Sequence, residues 1–407
     1  MKTSLSLAIF LIASLVCRSA PARDPITEGR YLITAGDCAS CHTARNGTPM
    51  AGGRVVPTPF GAIPSPNLTP DRETGLGAWS ADDFYQALHS GKAHDGTSLY
   101  PAFPFTSYTK VTRADSDAMF AYLHSLPAVK NPATDNTLRW PYRVRTLMAT
   151  WRLMYFDEGE YQPDPKQSAA WNRGAYLVQG LGHCNECHAK RNSFGAMVTD
   201  PFLAGGVVPV QNWYAPDLSM GKGGGLAGWS EADVVALLKT GRSPKGTALG
   251  PMAEVVLKST QYLTDADLAA MATYMKSLPA RDPQAQRESA ADADVLAKSG
   301  QKIYAQRCAD CHGADGRGKG DAYPPLDGNV SVVEPTGINA IRVVLSGGFA
   351  PATAAQQRPY SMPPFSQVLG DDDAAAVVTY IRQAWSNRAP SVSPGDVRAY
   401  RSTPGAP

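Results

Sequence analysis

The placement of the cysteines constrains this chain more than any other feature. Six of the seven cysteines fall in three Cys-x-x-Cys-His runs, and only Cys17 lies outside them. The runs comprise Cys38, Cys41 and His42; Cys184, Cys187 and His188; and Cys308, Cys311 and His312. This spacing is an attachment signal for c-type haem, in which both thiols bond to the haem vinyl groups and the adjacent histidine ligates the iron. The sequence therefore predicts three covalently bound haem c groups.

A zinc site, a redox dithiol and a structural disulfide all fit these runs less well. A zinc site needs four ligands, whereas each run offers three, and no second cysteine pair follows within the same repeat. Thiol exchange would not require three copies of a dithiol. Structural disulfides would not explain a histidine at the same place after each pair.

The amino terminus has the pattern of a secretory signal peptide over residues 1–22. Lys2 precedes the apolar stretch 5–16, and small residues follow, with Ala20-Pro21-Ala22 as the expected cleavage site. Lipidation of Cys17 is a weaker alternative, because Val16 stands where a small residue should precede a lipidated cysteine. We predict a periplasmic protein with at most peripheral membrane association, for instance on the outer face of the inner membrane, because no later stretch reaches the ~20 apolar residues of a membrane span.

Length and charge limit which classes of protein remain possible. A chain of 407 residues has room for two to four domains. Its formal net charge of +2 and the lack of long runs of like charge give no basis for binding nucleic acid.

An internal repeat covers the first two haem motifs. Glu28-Gly-Arg-Tyr-Leu precedes the first motif and Arg173-Gly-Ala-Tyr-Leu the second, while Ser65-Pro-Asn-Leu-Thr matches Ala215-Pro-Asp-Leu-Ser. Both copies close on a helix ending in Tyr-x-x-Ser-Leu-Pro. The third motif keeps the same order, and in each copy a small glycine on the first helix should allow a close crossing with an aromatic residue on the last helix.

The expected domains follow from these repeats and from polar, Pro-containing linkers. They are 24–156, 168–280 and 294–390, preceded by the signal peptide and followed by a carboxy-terminal tail, 391–407. The aromatic segment, residues 139–156, is predicted to form a helix packed against a neighbouring domain or a partner.

The sixth iron ligands are predicted to differ between the domains. Met252, in Gly250-Pro-Met-Ala, and Met362, in Ser361-Met-Pro-Pro-Phe, lie between the haem run and the closing helix, where such a ligand belongs, so we expect both to ligate iron. The first domain has Phe103 at this place. Met50, His89 and His94 are only weak substitutes, so the first haem is expected to be five-coordinate or unconventionally ligated.

Three further side chains are candidates for haem propionates. Trp79 and Trp229 recur at one position of the repeat, and Arg54 follows the first motif. Packing is an equal alternative for the tryptophans.

With these motifs, the sequence resembles the multi-haem cytochrome c subunits of periplasmic bacterial dehydrogenase complexes. The resemblance covers nearly the whole mature chain and is carried by 61–75, 99–105, Met362-Pro-Pro-Phe365 and 378–387. It implies a mostly α fold of three tandem class I-like cytochrome c domains, each wrapped round one covalent haem, with the first two a duplicated pair. It also implies an electron-transfer subunit that passes electrons from a catalytic dehydrogenase to quinone, another cytochrome or a terminal oxidase.

The resemblance leaves the type of partner open between two groups. Phe103 together with Arg173 to His183 is more similar to cytochromes that accompany molybdenum hydroxylases, such as aldehyde dehydrogenases. Cytochromes of quinoprotein alcohol dehydrogenases and flavin-dependent gluconate dehydrogenases usually carry methionine at this place. An alternative function is a haem enzyme such as a peroxidase that uses an open first haem, with His89 or His94 as acid and base.

Overall fold

Short helices joined by long loops form the chain in a computed structural model, which describes residues 24–221, 225–281, 293–320 and 322–401. The predicted signal peptide and Cys17 lie outside these residues, as does most of the predicted linker after 280. In the part of the chain that the structure describes, no helix is long and apolar enough to span a bilayer.

The first segment, residues 24–156, contains six helices and one two-stranded hairpin. The elements are α1 (Pro25–Ala35), α2 (Cys38–His42), β1 (Val55–Thr58), β2 (Gly61–Pro64), α3 (Ala81–Ser90), α4 (Phe105–Tyr108), α5 (Arg113–His124) and α6 (Leu147–Tyr155).

The second segment, residues 168–280, repeats much of this order. Its elements are α7 (Ala169–Tyr176), a π-helical turn (Leu177–Leu181), a 3-10 turn (Cys184–Glu186), β3 (Gly206–Val208), β4 (Trp213–Ala215), α8 (Glu231–Thr240), β5 (Arg242–Ser243), β6 (Gly246–Thr247), α9 (Pro251–Lys258), a 3-10 turn (Thr260–Tyr262) and α10 (Asp265–Lys276).

The third segment, from residue 293 to 401, has α11 (Ala293–Arg307), α12 (Ala309–His312), α13 (Ile338–Ser346), β7 (Gly348–Phe349), β8 (Ser361–Met362), α14 (Asp371–Gln383) and α15 (Pro394–Arg401). All four strand pairs are antiparallel: β1 with β2, β3 with β4, β5 with β6, and β7 with β8.

Matching caps start the corresponding helices of the first two segments. Ser80 before α3 and Ser230 before α8 each form a reciprocal capping box with an aspartate three residues later. The hydroxyls of Thr112 before α5 and Thr264 before α10 accept from the third backbone N–H of the helix. These bonds satisfy donors that the first helical turn leaves without an intrahelical partner.

Each segment is closed by a crossing of its first and last long helices. A Cβ atom at Gly29 would lie 1.9 Å from the Ala118 carbonyl oxygen, and one at Gly174 would lie 1.9 Å from that of Ala270. At Gly300 the corresponding distance, to Ala376, is 2.0 Å. Only glycine permits such an approach, so the predicted close crossing is confirmed at all three positions. It joins α1 to α5, α7 to α10 and α11 to α14.

The first two segments also bind each other reciprocally. The Tyr31 hydroxyl on α1 donates to Asp267 on α10 at 2.5 Å, and the Tyr176 hydroxyl on α7 donates to Asp115 on α5 at 2.5 Å. Arg173 adds two bonds of 2.8 Å to the Asp267 carboxylate. Equivalent surfaces thus meet in the manner of a two-fold symmetric dimer, although both belong to one chain.

The carboxy-terminal residues differ from the sequence prediction. Residues 391–401 are not a tail, because Val392 and Val397 are buried in the third core and α15 packs on α13 and α14.

The predicted helix within the aromatic segment is confirmed as α6. Its Trp151 is buried and donates through Nε1 to the Phe194 carbonyl of the second segment at 3.1 Å, whereas Trp140 is 75% exposed.

Replacing Gly174 with alanine should lower the free energy of unfolding by about 3 kcal/mol, at the upper end of the overpacking range, because the new methyl group meets backbone that cannot rotate away. Denaturant unfolding followed by circular dichroism measures this. Gly228→Ala is the matched control, since a Cβ there has no neighbour within 4 Å. Equal midpoints for the two variants would contradict the close crossing.

Tyr31→Phe and Tyr176→Phe should each lower the free energy of unfolding by about 1.5 kcal/mol, because each leaves an aspartate without one of its donors. The same denaturant experiment tests this, with Tyr262→Phe as control because that side chain is 60% exposed. The reciprocal bonds are unimportant if both variants unfold like the control.

Candidate haem sites

The three motif histidines are held by the same backbone contact. Nδ1 lies 2.8 Å from the Pro66 carbonyl oxygen in His42, 2.7 Å from that of Pro216 in His188 and 3.0 Å from that of Pro324 in His312. A carbonyl oxygen only accepts, so Nδ1 carries the proton in each ring. In the neutral imidazole, Nε2 then holds the lone pair that can bind a metal.

A glycine completes the same arrangement at each motif. The backbone N–H groups of Gly52, Gly205 and Gly318 donate to the carbonyls of His42, His188 and His312, each at 2.8 Å. All three glycines have φ near +75°, and a Cβ at any of them would lie 3.0 Å or less from backbone atoms beside the proline. The site therefore requires glycine there. Neither the prolines nor these glycines were predicted as site residues, although Pro66 and Pro216 stand in the matched repeat.

Burial fixes the protonation of these groups. It lowers the pKa of His42, His188 and His312, which favours neutral rings that can donate to iron. It also raises the pKa of Cys38 and Cys184 to about 12, so these thiols stay protonated at neutral pH. Within the described residues, no cluster of three or more His, Cys, Asp or Glu side chains is arranged to hold a metal ion.

The second and third motifs open onto one cavity of about 400 Å³. Its wall includes the proposed attachment and ligand residues of both motifs: Cys184, Cys187, His188, Met252, Cys308, Cys311, His312 and Met362. Most other wall residues are apolar, among them Leu238, Met271 and Val344. An apolar cavity with thiols and a single histidine nitrogen from each motif fits a large, flat, mainly hydrophobic group such as haem.

Both predicted methionine ligands lie on this cavity. Met252 is in the first turn of α9 rather than in a loop, and Met362 is in β8. Each of them shares the cavity wall with the histidine of its own segment.

Phe103 occupies the place of Met252 in the first segment. The Leu99 N–H donates to the Gly91 carbonyl and the Ala248 N–H to the Gly241 carbonyl, each at 2.8 Å. Four residues after these bonds come Phe103 and Met252, and both pack against the same apolar cluster. The first segment thus places an aromatic ring where the second places a thioether.

Met50, His89 and His94, the weaker candidates for a sixth ligand, do not share the surroundings of Met252 and Met362. Met50 is buried, has φ of 63°, and its carbonyl accepts a hydrogen bond from the Leu68 N–H. Leu203, at the matching position of the second segment, is also buried, has φ of 56°, and accepts from the Leu218 N–H. A leucine at the matching position marks Met50 as a core residue. Nδ1 of His89 donates to the Thr109 carbonyl at 3.1 Å and its Nε2 lies 3.5 Å from Glu158. The His94 side chain is exposed.

The candidate residues for haem propionate contacts also differ from one another in their surroundings. Trp229 is buried and lines the cavity, whereas Trp79 is partly buried beside His94. Arg54 instead binds Glu254 of α9 through two bonds of 2.6 and 3.2 Å, and its guanidinium also reaches the Ser40 carbonyl. This ion pair joins the first haem motif to the helix that carries Met252, a long-range contact that the sequence did not reveal.

Known proteins resemble this chain in sequence. The sequence profile of the cytochrome c family matches residues 26–127 and 297–385. The cytochrome c subunit of alcohol dehydrogenase (quinone) from Gluconacetobacter polyoxogenes is 36% identical over 427 residues, covering 100% of this chain and 91% of the relative. The gluconate 2-dehydrogenase cytochrome c subunit of Pantoea cypripedii is 36% identical over 98% of this chain and 95% of its own length. A nicotinate dehydrogenase subunit of Pseudomonas putida is 41% identical over 90% of this chain but 31% of the relative.

These relatives correct one expectation and establish the family. The preference for a molybdenum hydroxylase partner is not favoured, because most of the relatives are named for alcohol, gluconate or fructose dehydrogenases. Phe103 was therefore a poor guide to the partner, since a ligand position reports on the iron and not on the surface that docks. The alcohol dehydrogenase and gluconate dehydrogenase subunits each match along more than nine-tenths of both lengths. The chain belongs to the family of cytochrome c subunits of bacterial dehydrogenases.

Proposed function

We propose that this chain binds three haem c groups in three cytochrome c domains and relays electrons from a catalytic dehydrogenase subunit to quinone, another cytochrome or a terminal oxidase. The observation that carries the proposal is the threefold recurrence of one backbone arrangement, in which a motif histidine is held by a proline carbonyl and a glycine N–H. A site used only for packing would not need the same imidazole orientation three times.

Each bound haem would supply a one-electron iron couple. The chain's own residues attach and tune it: the cysteines Cys38, Cys41, Cys184, Cys187, Cys308 and Cys311 hold the porphyrin, and His42, His188 and His312 ligate iron. Met252 and Met362 are the proposed sixth ligands. Phe103 offers no donor atom, so the first iron lacks a thioether at that place and should have the lowest potential.

Packing between the segments supports a relay. The second and third motifs share one cavity wall, which brings their attachment residues to the same space. The first motif reaches the second segment through the Arg54–Glu254 pair and through a 3.2 Å bond from the Ser259 hydroxyl to the Ala35 carbonyl. Asn339 then bonds both backbone groups of Tyr214, at 2.9 and 2.8 Å, and fixes the third segment on the second.

The partner and location follow from the relatives and the amino terminus. Relatives named as cytochrome subunits of alcohol, gluconate and fructose dehydrogenases support a catalytic dehydrogenase subunit that uses a quinone or flavin cofactor. The signal pattern of residues 1–22 supports export to the periplasm, where c-type haem attachment takes place. The peroxidase alternative has no support, because the relatives are named as cytochrome subunits of dehydrogenases. In addition, Nδ1 of His89 donates to the Thr109 carbonyl and its Nε2 lies 3.5 Å from Glu158.

A pyridine haemochrome assay on the protein exported with its haem-attachment machinery should find about three haems per chain. Replacing both cysteines of one motif by serine should reduce the count to about two, whichever motif is changed. A Cys17→Ser variant is the control and should keep the full count in the mature protein. A count of two in the unchanged protein would overturn the three-haem proposal.

Met252→Leu and Met362→Leu should each lower the midpoint potential of one haem, because a strong-field thioether ligand favours ferrous iron. Phe103→Met should raise the lowest potential by supplying the missing ligand. Spectroelectrochemical titration measures all three couples, and Met154→Leu, at an exposed position on α6 outside the cavity wall, is the control. Potentials that do not respond to either methionine would refute the ligand assignment.

A further inference from the structure

The outward face of α6 carries no charged residue. Its exposed positions are Leu147, Ala149, Thr150, Leu153 and Met154. Leu153 is 87% exposed and Met154 is 54% exposed. A surface helix normally places charged and polar side chains on the side that faces water. This face is therefore an exposed apolar surface of the kind that marks a docking site.

The helix cannot turn this face inward. Met148 and Trp151 on its other side are buried against Phe105, whose ring meets that of Trp151 edge-on at 6.2 Å. The bond from Trp151 Nε1 to the Phe194 carbonyl ties the helix to the second segment. Phe194 itself is 56% exposed and extends the apolar surface beyond the helix.

The charges within this segment have one sign, and Asp135 and Asp157, the nearest acidic residues in the sequence, lie just beyond its two ends. Residues 136–156 include four arginines and no aspartate or glutamate, although the whole chain is nearly balanced, with 38 basic and 36 acidic residues. Arg143 and Arg145 are exposed just before α6. Glu158, which follows the segment and is 44% exposed, accepts from the Ser90 hydroxyl and lies 3.8 Å from the Arg152 guanidinium. Trp140, 75% exposed, lies at the same basic end.

We propose that the α6 docking face, made of Trp140, Arg143, Arg145 and the outward residues of α6, binds the surface of an anionic phospholipid bilayer. Exposed arginines complement lipid phosphates, and tryptophan is favoured at the level of the headgroups. Leu153 and Trp140 protrude into solvent and can enter the lipid interface without a matching pocket, whereas a protein partner would have to supply one. The contact is peripheral, like that of other short amphipathic helices.

Flotation of the haem-loaded protein with vesicles tests the proposal. We expect binding to vesicles of phosphatidylethanolamine and phosphatidylglycerol, weaker binding at high salt, and little binding to phosphatidylcholine alone. Leu153→Glu should weaken binding to the anionic vesicles about tenfold, because it removes an inserting side chain and adds a repelled charge.

The matched control is Val295→Glu, which makes the same charge change at a position 70% exposed on α11. Equal weakening by both variants, or no vesicle binding by the unchanged protein, would overturn the proposal. If Leu153→Glu instead prevents assembly with a co-expressed catalytic subunit while vesicles are not bound, the face is a protein interface and the proposal is wrong. Haem content and potentials, measured on the same samples, report separately on the proposed electron relay.

Discussion

At Gly29, Gly174 and Gly300, the first and last long helices of a segment approach until a methyl group no longer fits between them. Each motif begins within a few residues of the end of the first helix, so this crossing decides where its cysteines and histidine lie. Between the crossing helices the chain consists mainly of loops, with short helices and strand pairs of two to four residues. Their path depends on two fixed points, the helix crossing at one end and the histidine with its proline carbonyl at the other. Without the crossing, the wall that faces the histidine would have no defined position.

The matching elements of the first two segments explain why these segments can bind each other so specifically. When two copies of one fold meet through equivalent surfaces, every favourable contact is formed twice, as with Tyr31 on Asp267 and Tyr176 on Asp115. The copies then differ where repetition is not required: Arg173 adds an ion pair to only one aspartate, and Arg54 binds Glu254 with no counterpart in the other direction. The contacts that occur once thus add to a set of equivalent contacts that occurs twice.

The sequence predicted features whose cause is local. A Cys-x-x-Cys-His run carries its meaning in neighbouring residues, and the glycines of the helix crossings and the position of Phe103 could be found by aligning the copies. The proline carbonyls could not be predicted as histidine partners, because a backbone oxygen carries no residue-specific signal and Pro66 lies 24 residues from His42. The packing of 391–401 was missed for a related reason. Its buried valines are few, and burial of Val392 and Val397 depends on a groove made by α13 and α14.

The three sites share their histidine side and differ on the opposite side. Because a proline carbonyl and a glycine N–H hold His42, His188 and His312 alike, the histidine side would not distinguish the three proposed haems from one another. Differences must then come from the facing residue and from nearby charge. Phe103 replaces a donor atom in the first segment, and burial beside that motif raises the pKa of Asp37 to about 7, close to Glu254 and Arg54. The first site is therefore set apart twice, by its missing thioether and by a carboxyl group that changes charge near neutral pH.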